Sequence, residues 1–267
     1  MRFQQLLDSL PIGGVFVAFV VFSLIVTEAG YRHGYWWQER TQDEKDGPTG
    51  MIVGSLLALM AFLLAIAMGM ASDRFDTRRG LVLTEANSIG TTYLRAGYLP
   101  EPASSEIRDL LREYVPLRVP TNDLADVREK LVRSADLQDK LWSIAEELAR
   151  TTPESDVLAL FIESLNETID LNETRVTAGI YARVPETIIL MLFCGSMLTL
   201  GMVAYTAGLA HRRSSLTAAV LIILLGSVIT LVVDLDRPQD GFLKVNQQPR
   251  IDLQEQIGGY PGTNRPK

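Results

Sequence analysis

The sequence predicts an all-α integral membrane protein with four transmembrane helices and a long helical cytoplasmic segment between spans two and three. Three observations carry this. The apolar excess of a chain that is 47% hydrophobic is gathered into four blocks, about 12–27, 51–71, 188–210 and 216–233. None of the four contains a charged residue. The intervening stretch, 73–185, shows helical periodicity broken only by prolines and little strand alternation.

A helix rises ~1.5 Å per residue, so ~20 residues cross a ~30 Å hydrocarbon core. The second block, MIVGSLLALMAFLLAIAMGMA, and the third, IILMLFCGSMLTLGMVAYTAGLA, reach that length. The fourth, LTAAVLIILLGSVITLVV, is slightly shorter. The first, IGGVFVAFVVFSLIVT, is shorter still, with Leu6, Leu7 and Leu10 extending its apolar side before Pro11. No A-x-A cleavage site follows it. Tyr31, Tyr35, Trp36 and Trp37 come next and read as an interfacial aromatic belt closing a retained span. Residues 28–50 are then expected as a polar connection.

Past the second span, 72–99 continues in helical chemistry up to Pro100, which predicts one rod of about 48 residues. A helix over 104–117 follows, with Ile107, Leu110, Leu111, Tyr114 and Val115 inward. Pro120 breaks it, and Thr121 or Asn122 is the expected cap of a helix over 123–150. Its inward face is Leu124, Val127, Leu131, Leu141, Ala145 and Leu148. Thr152-Pro153-Glu154 reads as cap, first-turn proline and acid at the positive helix end. The last helix is expected to run to about Val184 along Leu158, Phe161, Ile162, Leu165, Ile169, Val176 and Ile180, with a kink at Pro185. The domain organisation is then 1–72, the first transmembrane pair; 73–185, the cytoplasmic helical region; 186–235, the second pair; and 236–267, a cytoplasmic tail with a disordered end.

Charge and composition exclude several classes. One cysteine, Cys194, and two histidines, His33 and His211, build neither a disulfide framework nor a zinc site. A net charge of −7 argues against a nucleic-acid partner. GxxxxGK[ST], GxGxxG and GxSxG are absent, and nothing calls for a cofactor or an enzymatic reading. Near the membrane, Arg2, Arg74, Arg78, Arg79, Arg183, Arg237 and Lys244 lie on one side, against Arg32, Arg40, Lys45, Arg212 and Arg213 on the other. The positive-inside rule places both termini and the long segment in the cytoplasm.

Three constellations are candidate sites. Asp73, Arg74, Asp76, Arg78 and Arg79 crowd the end of the second span, where they can pair with Asp234, Asp236 and Arg237 at the end of the fourth. They hold span ends at the interface or form a gate whose ion pairs rearrange. Glu163, Glu167 and Asp170 fall on one helix face, either a solvated face or an acidic rim that concentrates cations in a vestibule or binds calcium, although no DxDxDG-type loop accompanies it. Ala86, Gly90, Tyr93 and Gly97 form a small-residue stripe that admits a close helix neighbour. Glu85 and Asn87 are further polar candidates without an assigned role. No Asp, Glu, Lys or Arg lies inside a span, which weakens a proton-coupled carrier and excludes an Arg-rich voltage sensor. Ser55, Ser196, Thr199, Thr206, Ser227 and Thr230, with Gly54, Gly195 and Gly226, suit close packing or a hydroxyl-lined pore.

Residues 72–96, SDRFDTRRGLVLTEANSIGTTYLRA, are followed by Leu99-Pro100-Glu101-Pro102. With ESLNETIDLNETR at 163–175 and DLDRPQDGFLKVNQQP at 234–249, they resemble the bacterial bestrophin-like domain family over about 12–256. The resemblance implies a bestrophin-like architecture, and more distantly the bestrophin plan: a homo-oligomer, a pentamer, around a central pore that conducts anions. Phe62 is the only aromatic residue of the second span, and residues 73–185 hold 14 basic and 20 acidic residues, which fits cations at least as well as anions and leaves the ion open. The expected function is a homo-oligomeric ion channel in the lipid bilayer. The alternative is a non-conducting scaffold or sensor whose cytoplasmic helices bind a partner.

Overall fold

The computed structural model describes residues 7–41, 49–119, 121, 124–180, 183–213, 215–237 and 241–258. All regular structure among them is helical: α1 (Ile12–Arg40), α2 (Thr49–Ala96), α3 (Ala103–Leu117), α4 (Leu124–Thr151), α5 (Asp156–Ile180), α6 (Glu186–Leu209), α7 (Ser215–Asp236) and α8 (Gln248–Gly258). By length and composition, α1, α2, α6 and α7 can each cross a membrane. The chain divides into two compact units, Met1–Phe75 with Arg183–Lys244, and Asp76–Ala182 with Val245–Lys267. Helix α2 contributes residues to both.

The first unit holds α1, α6, α7 and the first half of α2. Val15, Phe19, Met60, Leu64, Ile189, Leu192, Ile222 and Ile229 form its core. Phe19 and Phe193 meet edge to face, ring centres 5.7 Å apart. Their neighbours Val17, Val21, Phe22, Leu24, Ile25, Leu198 and Leu224 are exposed, the surface expected of helices solvated by lipid.

Helix α1 departs from the sequence expectation. It continues for 29 residues through the stretch expected as a connection, ending only at Arg40. The reason is a glycine-lined crossing with α6. A Cβ on Gly30 would collide with the carbonyl of Gly201, one on Gly34 with the carbonyl of Tyr205, and one on Gly208 with the carbonyl of Tyr31. Gly30 and Gly34 are a GxxxG pair, which lets two backbones touch and gain dispersion contact over several turns. Glu28 and Arg32, 2.7 Å apart one turn along, add local support. The aromatic residues 31–37 therefore ride on a helix. At its far end α6 closes with His211 in the left-handed region, φ 52°, where the Arg212 N–H reaches the Ala207 carbonyl.

The second unit holds the rest of α2 with α3, α4, α5 and α8 around Ile89, Ile107, Leu111, Tyr114, Leu137, Leu141, Phe161, Leu165, Leu253 and Ile257. Between α2 and α5 the packing is polar. The Ser88 and Thr168 hydroxyls lie 2.9 Å apart, and Thr92 donates to the Ser164 carbonyl at 2.9 Å. Small hydroxyl residues bring the two helices close while every oxygen finds a partner.

Three further boundaries differ from expectation. Helix α5 starts at Asp156, and its cap is Ser155, whose Oγ accepts the Leu158 N–H at 3.2 Å. Thr152 instead donates back to the Leu148 carbonyl, closing α4. Helix α5 ends at Ile180, and Val184, which precedes Pro185, lies outside any helix. The stretch read as a tail contains helix α8, which buries Arg250, Leu253 and Ile257 in the second unit. Leu6, Arg2, Lys45, Pro120 and Asn122 lie outside the described residues.

Candidate functional site

The charged end of α7 is buried. Asp234, Asp236 and Arg237 are each less than a tenth exposed. Such charges are tolerable only when their remaining lone pairs and protons are met. Asp234 accepts the Phe242 and Leu243 backbone N–H groups at 2.9 and 3.1 Å, folding the following turn back onto the helix end. Gly241 leaves room there, because a Cβ would meet the Asp234 carboxylate and displace it. Asp236 accepts the Val184 N–H at 2.6 Å and lies 3.3 Å from Arg183 Nε. Arg183 in turn donates both terminal nitrogens to Asp8, at 2.6 and 2.9 Å. That bidentate bond, and the Asp236 charge, hold the Arg183 guanidinium above its ordinary pKa. Arg237 donates to the carbonyls of Leu7 and Leu10 and lies 3.9 Å from Asp8. The connection leading into α1 is thus tied to the end of α7 through two arginines.

Sequence reasoning named Asp234, Asp236 and Arg237 but sought their partners in α2. The residues placed beside them here, Asp8 and Arg183, are 228 and 53 positions away from Asp236 in the chain and form no local motif. Of the α2 charges in the same unit, Asp73 is exposed and Arg74 half-buried. In the second unit Arg78 is buried, while Asp76 and Arg79 are exposed.

The exposed face of α2 is the other element of the site. In the first unit Ile52, Ser55, Leu59, Phe62, Ile66, Gly69 and Asp73 recur every third or fourth residue, all exposed, opposite the buried row Met60, Leu64, Ala67 and Ala71. In the second unit the row continues through Asp76, Gly80, Leu83, Asn87, Thr91 and Leu94, with Thr77, Arg79 and Thr84 exposed beside it. The acidic triplet on α5 is exposed as well. Glu163 lies 3.6 Å from Arg95, and Asp170 accepts from Asn166 at 3.1 Å. The small-residue stripe is covered within its unit: Ala86 is buried, Gly90 faces Leu253, Gly97 faces Arg108, and the Tyr93 ring lies 5.1 and 5.4 Å from the Arg108 and Arg112 guanidinium carbons.

Glu85 is fully buried. It sits at the centre of the second unit, 3.0 Å from Arg118 Nε and 2.5 Å from Arg250, with Arg175 at 3.4 Å. Arg118 also donates to Ser134 and Asn172. Residues from α2, α5 and α8, and the residue that ends α3, meet at this one carboxylate, and α4 joins through the Ser134 hydroxyl on Arg118. Burial lowers the Arg250 pKa, and the Glu85 charge works against that. The sequence carried no local signal for the cluster, since its partners are dispersed over 165 positions.

The sequence profile of the bestrophin-like domain matches residues 13–250. The chain belongs to the bestrophin-like family. Among solved structures it is similar to a bacterial bestrophin homologue from Klebsiella pneumoniae, at 18% identity and a TM-score of 0.68, covering 92% of this chain and 98% of that one. A tyrosine-to-alanine variant of the Klebsiella pneumoniae homologue gives 17% identity and 0.65, covering 91% and 96%. A membrane protein carrying a proline-to-alanine substitution gives 17% and 0.66, covering 91% and 98%. At these identities the likeness establishes a shared bestrophin-like fold. A comparison with curated proteins finds no match.

Proposed function

We propose that this bestrophin-like protein is the subunit of a homo-oligomeric ion channel in the bacterial inner membrane, with α2 lining the pore. The observation that carries the reading is the unbroken exposed face of α2 in the first unit. It is uncharged from Ile52 to Ile66 and apolar apart from Ser55, passes a glycine at 69 and ends at Asp73. A helix surrounded only by lipid has no need of a Gly and an Asp in register with an apolar row. A hydrophobic constriction that opens onto an acidic mouth gives a conducting path both a gate and a local excess of cations. In this arrangement both termini and the helical region 73–185 are cytoplasmic, joined there by α8. Glu163, Glu167 and Asp170 shape an acidic vestibule, and the α2 and α7 span-end charges set the gate. A pentamer follows the bestrophin plan.

Planar-bilayer recording of the purified protein tests this. Single-channel currents with a reversal potential that tracks the cation gradient are expected. Silence across cation and anion gradients, under varied voltage, tension and calcium, rejects it.

A second reading has its own support. Leu83, Leu94, Tyr98, Val132 and Leu160 are exposed on the second unit, an apolar surface suited to another protein. A monomer or dimer by native mass spectrometry, with no conductance, favours a scaffold or sensor.

A further inference from the structure

We infer that the first unit carries a phospholipid site, in which one acyl chain lies in a groove between α1, α6 and α7 and the lipid phosphate is met by Arg213. The groove is a cavity of about 430 Å³. Its walls are apolar in the helix middles, at Leu24, Leu200, Leu221 and Ile222. Its mouth, where α6 gives way to α7, is polar: Glu28, Tyr31, Arg213, Ser215 and Thr217 line it. Concave apolar sites with a few convergent polar groups at one end are the form that ligand pockets take. Here the gradient from apolar to polar runs along the helices, in the direction in which a bilayer lipid changes from chain to headgroup.

Charge at the mouth selects the headgroup. Glu28 is shared by two guanidiniums, Arg32 at 2.7 Å and Arg213 at 2.5 Å, so one carboxylate balances two cations. Arg212 adjoins them. The Arg213 side chain is 60% exposed and its guanidinium carbon stands 5.3 Å from the Tyr31 ring, which fixes it at the rim. The first turn of α7 opens at the same place, and its N–H groups add partial positive charge. One phosphate makes up the missing negative charge, and basic pockets between transmembrane helices are an established route to anionic lipid recognition. Thr27, whose hydroxyl is shielded from solvent and has no hydrogen-bond partner among the described residues, borders the groove just below the mouth.

The site stands apart from α2, so it does not depend on whether the protein conducts. The test is native mass spectrometry of the full chain, delipidated in micelles and titrated with phosphatidylglycerol. One lipid per chain is expected. Arg213→Ala is expected to raise the half-saturating lipid concentration at least tenfold, with Arg213→Lys intermediate. Ala218→Trp, which fills the groove, should do the same without touching the charges. Diacylglycerol, which has the chains and no phosphate, should bind wild type as weakly as phosphatidylglycerol binds Arg213→Ala, whereas inorganic phosphate alone should not be retained. Equal lipid retention by wild type, Arg213→Ala and Ala218→Trp overturns the proposal. So does cross-linking that shows the groove covered by a second copy with no lipid retained. If Ala218→Trp does not fold, Arg213→Ala and the diacylglycerol arm still decide.

Discussion

Glu85 and Arg118 face each other at 3.0 Å with about one per cent of either side chain exposed. A second guanidinium, Arg250, closes on the same carboxylate from α8. Removing the single anion leaves two buried cations without a counter-charge, and breaking a buried pair from one side costs about 3–5 kcal/mol. Glu85→Ala is therefore expected to destabilise the second unit by that amount, and Glu85→Gln by most of it. Thermal unfolding followed by the fluorescence of Trp142, on α4, measures it. The triple replacement Glu85→Met, Arg118→Leu and Arg250→Met should recover much of the loss, because both fully buried cations leave with the anion and Arg175, which is partly exposed, keeps the residue-118 carbonyl. An unchanged midpoint for Glu85→Ala would show that water reaches the cluster.

The α1–α6 crossing should be intolerant of a single methyl group. A Cβ at Gly34 meets the Tyr205 carbonyl, part of a backbone that cannot rotate away, so Gly34→Ala must push the helices apart. Overpacking of this kind costs about 1–3 kcal/mol. At Gly54 nothing lies within 4 Å of an added Cβ. Gly54→Ala should thus be neutral or stabilising by about 0.5–1 kcal/mol, from the gain in helix propensity. Unfolding midpoints of the two variants in detergent should move in opposite directions, or only Gly34→Ala should move.

Those two sites mark what the sequence reveals and what it hides. The four spans, the 48-residue helix and the helix over 104–117 were legible, because each is written in local periodicity, in a proline, or in the absence of charge. The extension of α1 to Arg40 was not, since Tyr31–Trp37 has the composition of an interface belt. Gly30 and Gly34, set against the Gly201 and Tyr205 carbonyls of α6, make it a packed helix. Helix α8 was missed for the same reason: QPRIDLQEQIG has a weak apolar face, and its burial comes from Arg250 meeting a carboxylate 165 residues away. At the candidate site, Asp234 and Asp236 could be singled out as charges at a span end. That Asp8 and Arg183 would complete them depends on tertiary contact alone.

Alkaline stability is expected to depend on Tyr114. Its burial raises the phenol pKa, only partly offset by the Arg118 charge, and its hydroxyl oxygen receives Gln138 Nε2 at 3.0 Å. The folded state holds the phenol proton more tightly than the unfolded chain does. The contribution is therefore complete below the ordinary tyrosine value of about 10 and is lost as pH rises through the higher folded value. Tyr114→Phe should flatten the fall in unfolding midpoint above that pH while leaving the neutral midpoint within about 1 kcal/mol of wild type. An equally steep alkaline fall in both proteins would assign the effect to other groups.

Arg237 is expected to act as a resident cation for the oxygens around the entry to α1. Its guanidinium takes up the Leu7 and Leu10 carbonyls and lies near the Asp8 carboxylate, a set of hard oxygen donors of the kind that otherwise gathers a metal ion. Because a side chain already satisfies them, calcium should leave the unfolding midpoint of wild type unchanged. Arg237→Ala vacates the two carbonyls, while Asp8 stays with Arg183, and losing hydrogen bonds to a charged group should cost about 1.5–3 kcal/mol each. Arg237→Lys should retain part of this, since one ammonium can reach a carbonyl but cannot span both as the planar guanidinium does. In Arg237→Ala the freed carbonyls and Asp8 can accept a divalent ion, so calcium should restore some of the lost midpoint in that variant alone. A calcium-dependent rise in wild type, or no loss in Arg237→Ala, would show that the guanidinium does not hold this junction together.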